Sequence, residues 1–151
     1  KELLQTEVAR ALRSGMPLAF AMLDIDHFKS VNDTHGHHVG DRVIKTLARV
    51  LQQRLRQTDY IGRYGGEEFA VILPDASLEA GVRILDEIRQ TFYKVHQLAP
   101  TGVFNVSFSA GVAAFPMSGD ATQLALDADK ALYAAKRQGR NCVVAYSPSL
   151  G

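Results

Sequence analysis

Asp24 and Asp26 stand two positions apart at the end of an apolar run, and Glu67 and Glu68 follow a glycine pair further along the chain. On an extended strand, residues two apart point the same way, so both aspartates face one side, with Ile25 opposite and its carbonyl at the strand's mouth. Alternation sends Glu67 and Glu68 to opposite faces, which lets only one glutamate join the aspartates. If the strands that carry them are neighbours, Asp24 and Glu67 meet at one sheet edge. Two carboxylates and a backbone carbonyl suit Mg²⁺, which keeps few protein ligands and fills its shell with water and phosphate oxygens. The chemistry implied is phosphoryl or nucleotidyl transfer. Lys29, Lys136 and Arg140 offer positive charge for a triphosphate, provided the fold brings them there.

Each piece alone has a plainer meaning. A strand-end Asp-x-Asp is usually a turn or cap, Gly-Gly-Glu-Glu is usually a hairpin, and a lysine or arginine on a helix is usually solvated. Other chemistries find less support. His35-Gly-His-His has no cysteine nearby and no spacing for a closed zinc site. There is no nucleophile elbow, no Walker loop and no G-x-G-x-x-G after a strand.

The elements that must position these residues are legible from periodicity. Leu4, Val8, Ala11 and Leu12 recur at helical spacing before Ser14-Gly15 and Pro17. Leu18 to Ile25 is an apolar run without alternation, as expected of a strand covered on both faces. The polar stretch from His27 to Asp41 is expected to hold at most a short helical turn. Val39, Val43, Ile44, Leu47, Leu51 and Leu55 then trace a helix to about Arg56. Asp59–Tyr64 and Glu68–Leu73 read as a hairpin around Gly65-Gly66, a dipeptide suited to positive φ. Leu78 to Val95 reads as a helix, and 103–115 as a strand with Gly111 at a bulge or close approach. A last helix runs from Leu124 to near Gly139, and a short strand follows at Cys142–Tyr146. The fold class expected is α+β, a split βαβ arrangement with helices against a mainly antiparallel sheet.

Composition sets the frame. The chain has 151 residues, 46% hydrophobic and 22% charged, and reads as one domain over 1–151 that needs no disulfide or structural metal. Cys142 stands alone, which fits a reducing compartment. No apolar run is long enough to span a bilayer. A net charge of +1 argues against a nucleic acid polymer as partner.

The combined motifs resemble the GGDEF family, the catalytic domain of bacterial diguanylate cyclases. The resemblance rests on the segment Asp24-Ile-Asp-His-Phe-Lys-Ser-Val-Asn-Asp33, on Gly36-His37 and Gly40-Asp41, on Arg63-Tyr-Gly-Gly-Glu-Glu-Phe69, on Ala131-Leu-Tyr-Ala-Ala-Lys136 and on Gly139-Arg-Asn141, all in the family's order. It implies a ferredoxin-like, polymerase-palm-like fold and the conversion of two GTP to cyclic di-GMP and two pyrophosphates. Asp24, the Ile25 carbonyl and Glu67 are then the implied ligands of Mg²⁺, or of Mn²⁺ in its place. Glu67, Glu68 and Lys29 make up the implied catalytic set, with Glu67 as base for the 3′-hydroxyl; Asp26 and Glu68 orient ligands or add negative potential. Phe28, Lys29, Lys136 and Arg140 correspond to contacts around the triphosphate, and Asn32 and Asp41 to guanine contacts, with His37 in the same loop. A carboxylate at position 41 accepts from guanine N1–H and the 2-amino group, which adenine lacks.

Arg56-Gln-Thr-Asp59 resembles the family's Arg-x-x-Asp product site, so feedback by cyclic di-GMP is expected there. Arg83 and Arg89 are both candidates for the further arginine such a site uses. The family's Asp-x-Leu-Thr-Gly-Leu stretch is absent ahead of the first helix, so a fragment of a longer, cytoplasmic or membrane-attached signalling protein is expected, itself without membrane contact. One domain holds one GTP, so turnover is expected to need a homodimer. The alternative is a non-catalytic receptor for cyclic di-GMP or GTP.

Overall fold

The computed structural model describes residues 2–150. Its centre is β1 (Leu18–Ile25), buried at every position, as an unalternated apolar run requires. β1 pairs antiparallel with β3 (Glu68–Pro74) on one side and with β6 (Phe108–Phe115) on the other. β2 (Tyr60–Gly65) completes one edge by antiparallel pairing with β3, and β7 (Val143–Ala145) the other by parallel pairing with β6. The sheet order is therefore β2-β3-β1-β6-β7, mainly antiparallel.

Helices cover both faces. Ala19, Ala21, Leu23 and Ile25 of β1 pack into one core with Val43, Leu47 and Leu51 of α3 (His37–Arg54) and Leu85, Ile88 and Phe92 of α4 (Leu78–Lys94). Leu18, Phe20 and Met22 face the opposite way, against Leu4 and Ala11 of α1 (Glu2–Ser14) and Leu124, Ala128 and Leu132 of α5 (Ala121–Arg137). The helix starts are set by side chains: Ser77 accepts from the Ala80 amide at 3.1 Å, and Asp120 from the Gln123 amide at 2.8 Å. Where α5 crosses β6, Gly111 lies against helix backbone; a Cβ there would sit 2.2 Å from the Leu132 nitrogen. The glycine is required by close approach, and β1 pairs through it without a register shift.

Two segments depart from the sequence expectation. Residues 28–35 form a full helix, α2 (Phe28–His35), rather than a single turn. It is launched by His27 in a left-handed conformation (φ 56°), buries Val31, and is separated from α3 by Gly36 at φ 93°. The strand expected over 103–115 is broken. β5 (Gly102–Phe104) instead turns back on β4 (Gln97–Ala99) as a separate two-stranded sheet, and β6 starts only at Phe108. The break falls where β1 has run out, its last pair with β6 being Ile25 and Phe108, and just ahead of it the Asn105 side-chain amide donates to the carbonyls of Tyr93 and Val95, tying the chain to the end of α4. The hairpin turn has the expected positive angles, φ 122° at Gly65 and 51° at Gly66. Among the described residues no helix is long and apolar enough to cross a membrane.

Candidate active site

The antiparallel pairing of β1 with β3 brings the two acidic motifs together. Asp24 is 7% exposed and lies on the face covered by α5, where Lys136 in the last helical turn places its ammonium 2.5 Å from Oδ2. The other oxygen, Oδ1, is buried and receives no hydrogen bond in the structure. A buried carboxylate oxygen without a donor is costly unless a cation fills its place. Burial pushes the Asp24 carboxyl above its usual range; Lys136 works in the opposite direction, and the charges of Glu67 and Asp26 add to the rise.

Glu68 sits directly across from Asp24 in the strand register. It too is raised, first by burial and then by the negative charges of Asp24, Glu67 and Asp129, against the pull of Lys136. Glu67 lies in the turn just ahead of β3, and its carbonyl accepts from the Ile25 amide at 3.2 Å. Strict alternation therefore does not apply to it. Both glutamates, not one, join the charge neighbourhood of Asp24.

Such mutual repulsion around an open oxygen is the electrostatic condition for binding a cation. Among the described residues no three His, Cys, Asp or Glu side chains close into a complete cage. An ion here would draw on a backbone carbonyl, water and phosphate oxygens as well, a donor set of hard oxygens that fits Mg²⁺.

Asp26 has a different fate from Asp24. Its oxygens accept from Ser109 Oγ at 2.6 Å, from Ser107 Oγ at 2.7 Å and from the Asn141 amide at 3.0 Å, and the side chain is buried. With both oxygens occupied, it ties the end of β1 to β6 and to the turn after α5. Two positions of spacing thus yield one open carboxylate and one closed one: Asp24 meets Lys136 at one oxygen, whereas Asp26 meets Ser107, Ser109 and the Asn141 amide across both.

The remaining predicted residues lie at different depths. Phe28 and Asn32 are half-buried on α2, and Asn32 Oδ1 is buried without a hydrogen-bond partner. It fills the space over Gly40, where a Cβ would lie 1.8 Å from that oxygen and 3.2 Å from the Phe28 ring. His37 and Asp41 are exposed in the first turns of α3. Lys29 is almost fully exposed and pairs with Asp33 at 3.0 Å, so nothing in the structure brings it to Asp24. Arg140 is exposed in a left-handed conformation (φ 65°) beyond the end of α5.

Arg56 and Asp59 are turned on each other. The guanidinium reaches the carboxylate through Nε and Nη2, at 2.7 Å for the shortest contact, and also donates to the Pro74 carbonyl at 2.7 Å. The Arg56 amide completes the grip on Asp59 at 2.8 Å. Asp59 holds the guanidinium above its usual range. The arginine side chain is 49% exposed and the aspartate 1%. Of the two further arginines, Arg83 is exposed, whereas Arg89 is committed to Asp86 and to Asn141 at 2.8 Å each. Periodicity does not reveal the Asp26 and Arg89 contacts: Ser107 and Ser109 carry no signal in the sequence, and Asn141 stands out only within the Gly139-Arg-Asn141 motif.

Residues 1–142 match the family model "Diguanylate cyclase, GGDEF domain". The chain is 46% identical over 140 residues to diguanylate cyclase DgcP of Pseudomonas aeruginosa, covering 93% of this chain and 21% of that protein. It is 41% identical over 144 residues to the response regulator PleD of Caulobacter vibrioides, covering 93% of this chain and 32% of that one. The chain thus spans about a fifth to a third of the length of these relatives. Its structure superimposes on the active GGEEF domain of a diguanylate cyclase from Vibrio cholerae with a TM-score of 0.91 at 33% identity, covering 97% and 93% of the two chains. It matches the GGDEF domain of DgcB from Caulobacter crescentus, solved in complex with c-di-GMP, with a TM-score of 0.90 at 36% identity, covering 95% and 86%.

Proposed function

We propose, from the premise that the chain belongs to the GGDEF family of diguanylate cyclase domains, that it is a diguanylate cyclase joining two GTP into cyclic di-GMP and two pyrophosphates. The observation that carries the reading is Asp24: buried, held at one oxygen by Lys136, open at the other, and flanked by both glutamates of the glycine turn. A receptor has no need to maintain so unfavourable a carboxylate.

Each chain residue then has a physical task. Asp24, the Ile25 carbonyl and Glu67 would hold a divalent ion, Mg²⁺ by the chemistry of the donors. When bound, that ion neutralises charge on the α-phosphate and on the departing pyrophosphate. Glu67 takes the proton of the 3′-hydroxyl as its oxygen forms a bond to the α-phosphorus of the other nucleotide and the bond to pyrophosphate breaks. Lys136 and Arg140 answer the triphosphate charge. Lys29, on the exposed side of α2, can do so only by leaving Asp33. Phe28 and the adjoining amides border the phosphates, and Glu68, across from Asp24, adds to the negative potential that would attract the ion.

Guanine selection falls to Asn32 and Asp41, with His37 at the mouth. Asn32 presents a buried acceptor without a donor, suited to the N1–H and 2-amino edge of the base. Gly40→Ala is expected to evict that side chain and weaken GTP binding by ~10-fold, about 1.4 kcal/mol, while the helical alanine keeps the fold stable. Calorimetric titration with GTP checks it; undiminished affinity would remove Asn32 from the site.

One domain carries one GTP, so two must face each other for both new bonds to form. The rate per chain is expected to fall on dilution. Incubating a concentrated sample with GTP and Mg²⁺, detecting cyclic di-GMP, and repeating across a dilution series tests both points. Nucleotide binding without product at any concentration would favour the receptor. Arg56 and Asp59 serve product feedback in this reading, with cyclic di-GMP displacing Asp59 from the exposed guanidinium.

A further inference from the structure

The turn that follows α5 carries more strain than the helix end explains. Gly139 (φ 116°) closes the helix, with the Arg140 amide donating to the Ala135 carbonyl at 3.0 Å. This is the Schellman arrangement, and it accounts for the glycine. Arg140 (φ 65°) and Asn141 (φ 49°) then continue in the left-handed region, which two successive non-glycine residues rarely occupy without outside support.

That support comes from two sides. The Asn141 amide donates to Asp26 Oδ2 at 3.0 Å, and the Asn141 side-chain oxygen accepts from Arg89 Nη1 at 2.8 Å. Each holder is itself fixed. Asp26 is gripped by Ser107 and Ser109, and Arg89 is braced from within α4 by Asp86 at 2.8 Å. The Arg89 side chain is 18% exposed, so it is withdrawn from solvent rather than displayed to a partner. Beyond the turn, the Cys142 carbonyl accepts from Ala110, entering the parallel pairing of β7 with β6.

We propose that Arg89 and Asp26, acting through Asn141, are positioning residues that lock residues 139–141 and so aim Arg140, and the helix end bearing Lys136, at the triphosphate. The assignment rests on the cyclase reading for the identity of the ligand, but the lock itself is independent of it. The strut runs from the far side of the sheet: α4 packs on the face opposite α5, and Arg89 reaches the turn at the edge of the sheet. Loosening it leaves Asn32 and Asp41, which sit on α2 and α3, untouched. The guanine end of the site is then unaffected while the phosphate end loses its aim.

The test uses the intact chain and the variants Arg89→Ala and Asn141→Ala. Amide hydrogen exchange of Arg140 and Asn141 is expected to rise at least ~10-fold in Arg89→Ala, while the amides of β1 and β3 keep their protection. Titration with GTP and with GMP, each with Mg²⁺, is expected to show ~10-fold weaker GTP binding in both variants and GMP affinity within twofold of the parent. Asn141→Gly, which adopts the turn without strain, is expected to make GTP binding insensitive to a further Arg89→Ala change. Unchanged exchange at Arg140 and Asn141 would overturn the lock. Equal losses for GTP and GMP would reduce Arg89 to a structural residue and overturn the positioning role. A parent chain that binds no GTP would instead sink the cyclase reading, with the exchange arm still judging the lock.

Discussion

Asp24→Asn is expected to reduce cyclic di-GMP formation by roughly a thousandfold, the scale on which loss of a key electrostatic group slows a charged transition state, without destabilising the metal-free chain. The two halves of this prediction share one cause. Asp24 is buried with an open oxygen, and burial is the largest influence holding its carboxyl above the usual range. The folded chain therefore binds this proton more tightly than the unfolded chain does. The resulting contribution to stability is complete below the ordinary carboxylate range and is lost as pH rises through the folded value. Glu68 is raised as well and acts in the same sense. At neutral pH the asparagine removes a penalty that the parent bears, so its melting temperature should equal or exceed the parent's; near pH 3 the advantage should vanish. Lys136, one-third exposed, loses its partner but keeps access to water. Added Mg²⁺ should raise the melting temperature of the parent and not of the variant. Thermal melts at both pH values, with and without the ion, check the stability half, and product analysis checks the other. A variant that still makes cyclic di-GMP would remove Asp24 from the chemistry.

Gly111→Ala carries the largest expected cost to the fold. The added carbon would lie 2.2 Å from the Leu132 nitrogen, 2.3 Å from the Ala128 carbonyl oxygen and 2.7 Å from the Ala131 carbonyl carbon. All three are helix backbone, which cannot swing aside as a flexible side chain can. Either α5 lifts from β6 or the strand shifts in the middle of the sheet. A loss of about 3 kcal/mol is expected for such overpacking, which lowers the melting temperature of a domain of this size by ~10 °C. Gly62→Ala is the control, since that glycine lies exposed on the edge strand with open space where its Cβ would point. Calorimetry of the two variants makes the comparison. Activity should fall further than stability alone predicts in Gly111→Ala, because α5 delivers Lys136 to Asp24.

The parts of the fold legible in the sequence are those whose burial is written in one short segment. The unalternated run of β1, the Gly65-Gly66 hairpin and the apolar stripes of α3, α4 and α5 all correspond to observed elements. α2 escapes because Phe-Lys-Ser-Val-Asn-Asp-Thr-His buries only Val31 and consists largely of weak helix formers. The β4–β5 hairpin escapes because the β-like run over 103–115 extends past the end of β1, and nothing in that segment marks residues 102–104 as pairing with β4 instead. In the site, Asp24 and the glutamates are visible as residue types, but their placement is not: Glu67 lies in the turn ahead of β3, outside strand alternation, and Glu68 is set by register. Glu68 faces Asp24 because β3 begins at that residue. Asp26 shares the face of Asp24 by spacing, but its closure comes from Ser107, Ser109 and Asn141, none near it in the chain.

The ion pair between Lys136 and Asp24 joins residues 112 positions apart, and the helix that supplies the lysine is the last one of the main body. During synthesis from the N-terminus, Asp24, Glu67 and Glu68 therefore leave the ribosome well before the ammonium that balances them. A nascent chain cannot balance the charge of this acidic cluster until translation has passed α5. Any chain released early keeps its carboxylates and lacks the machinery to use them.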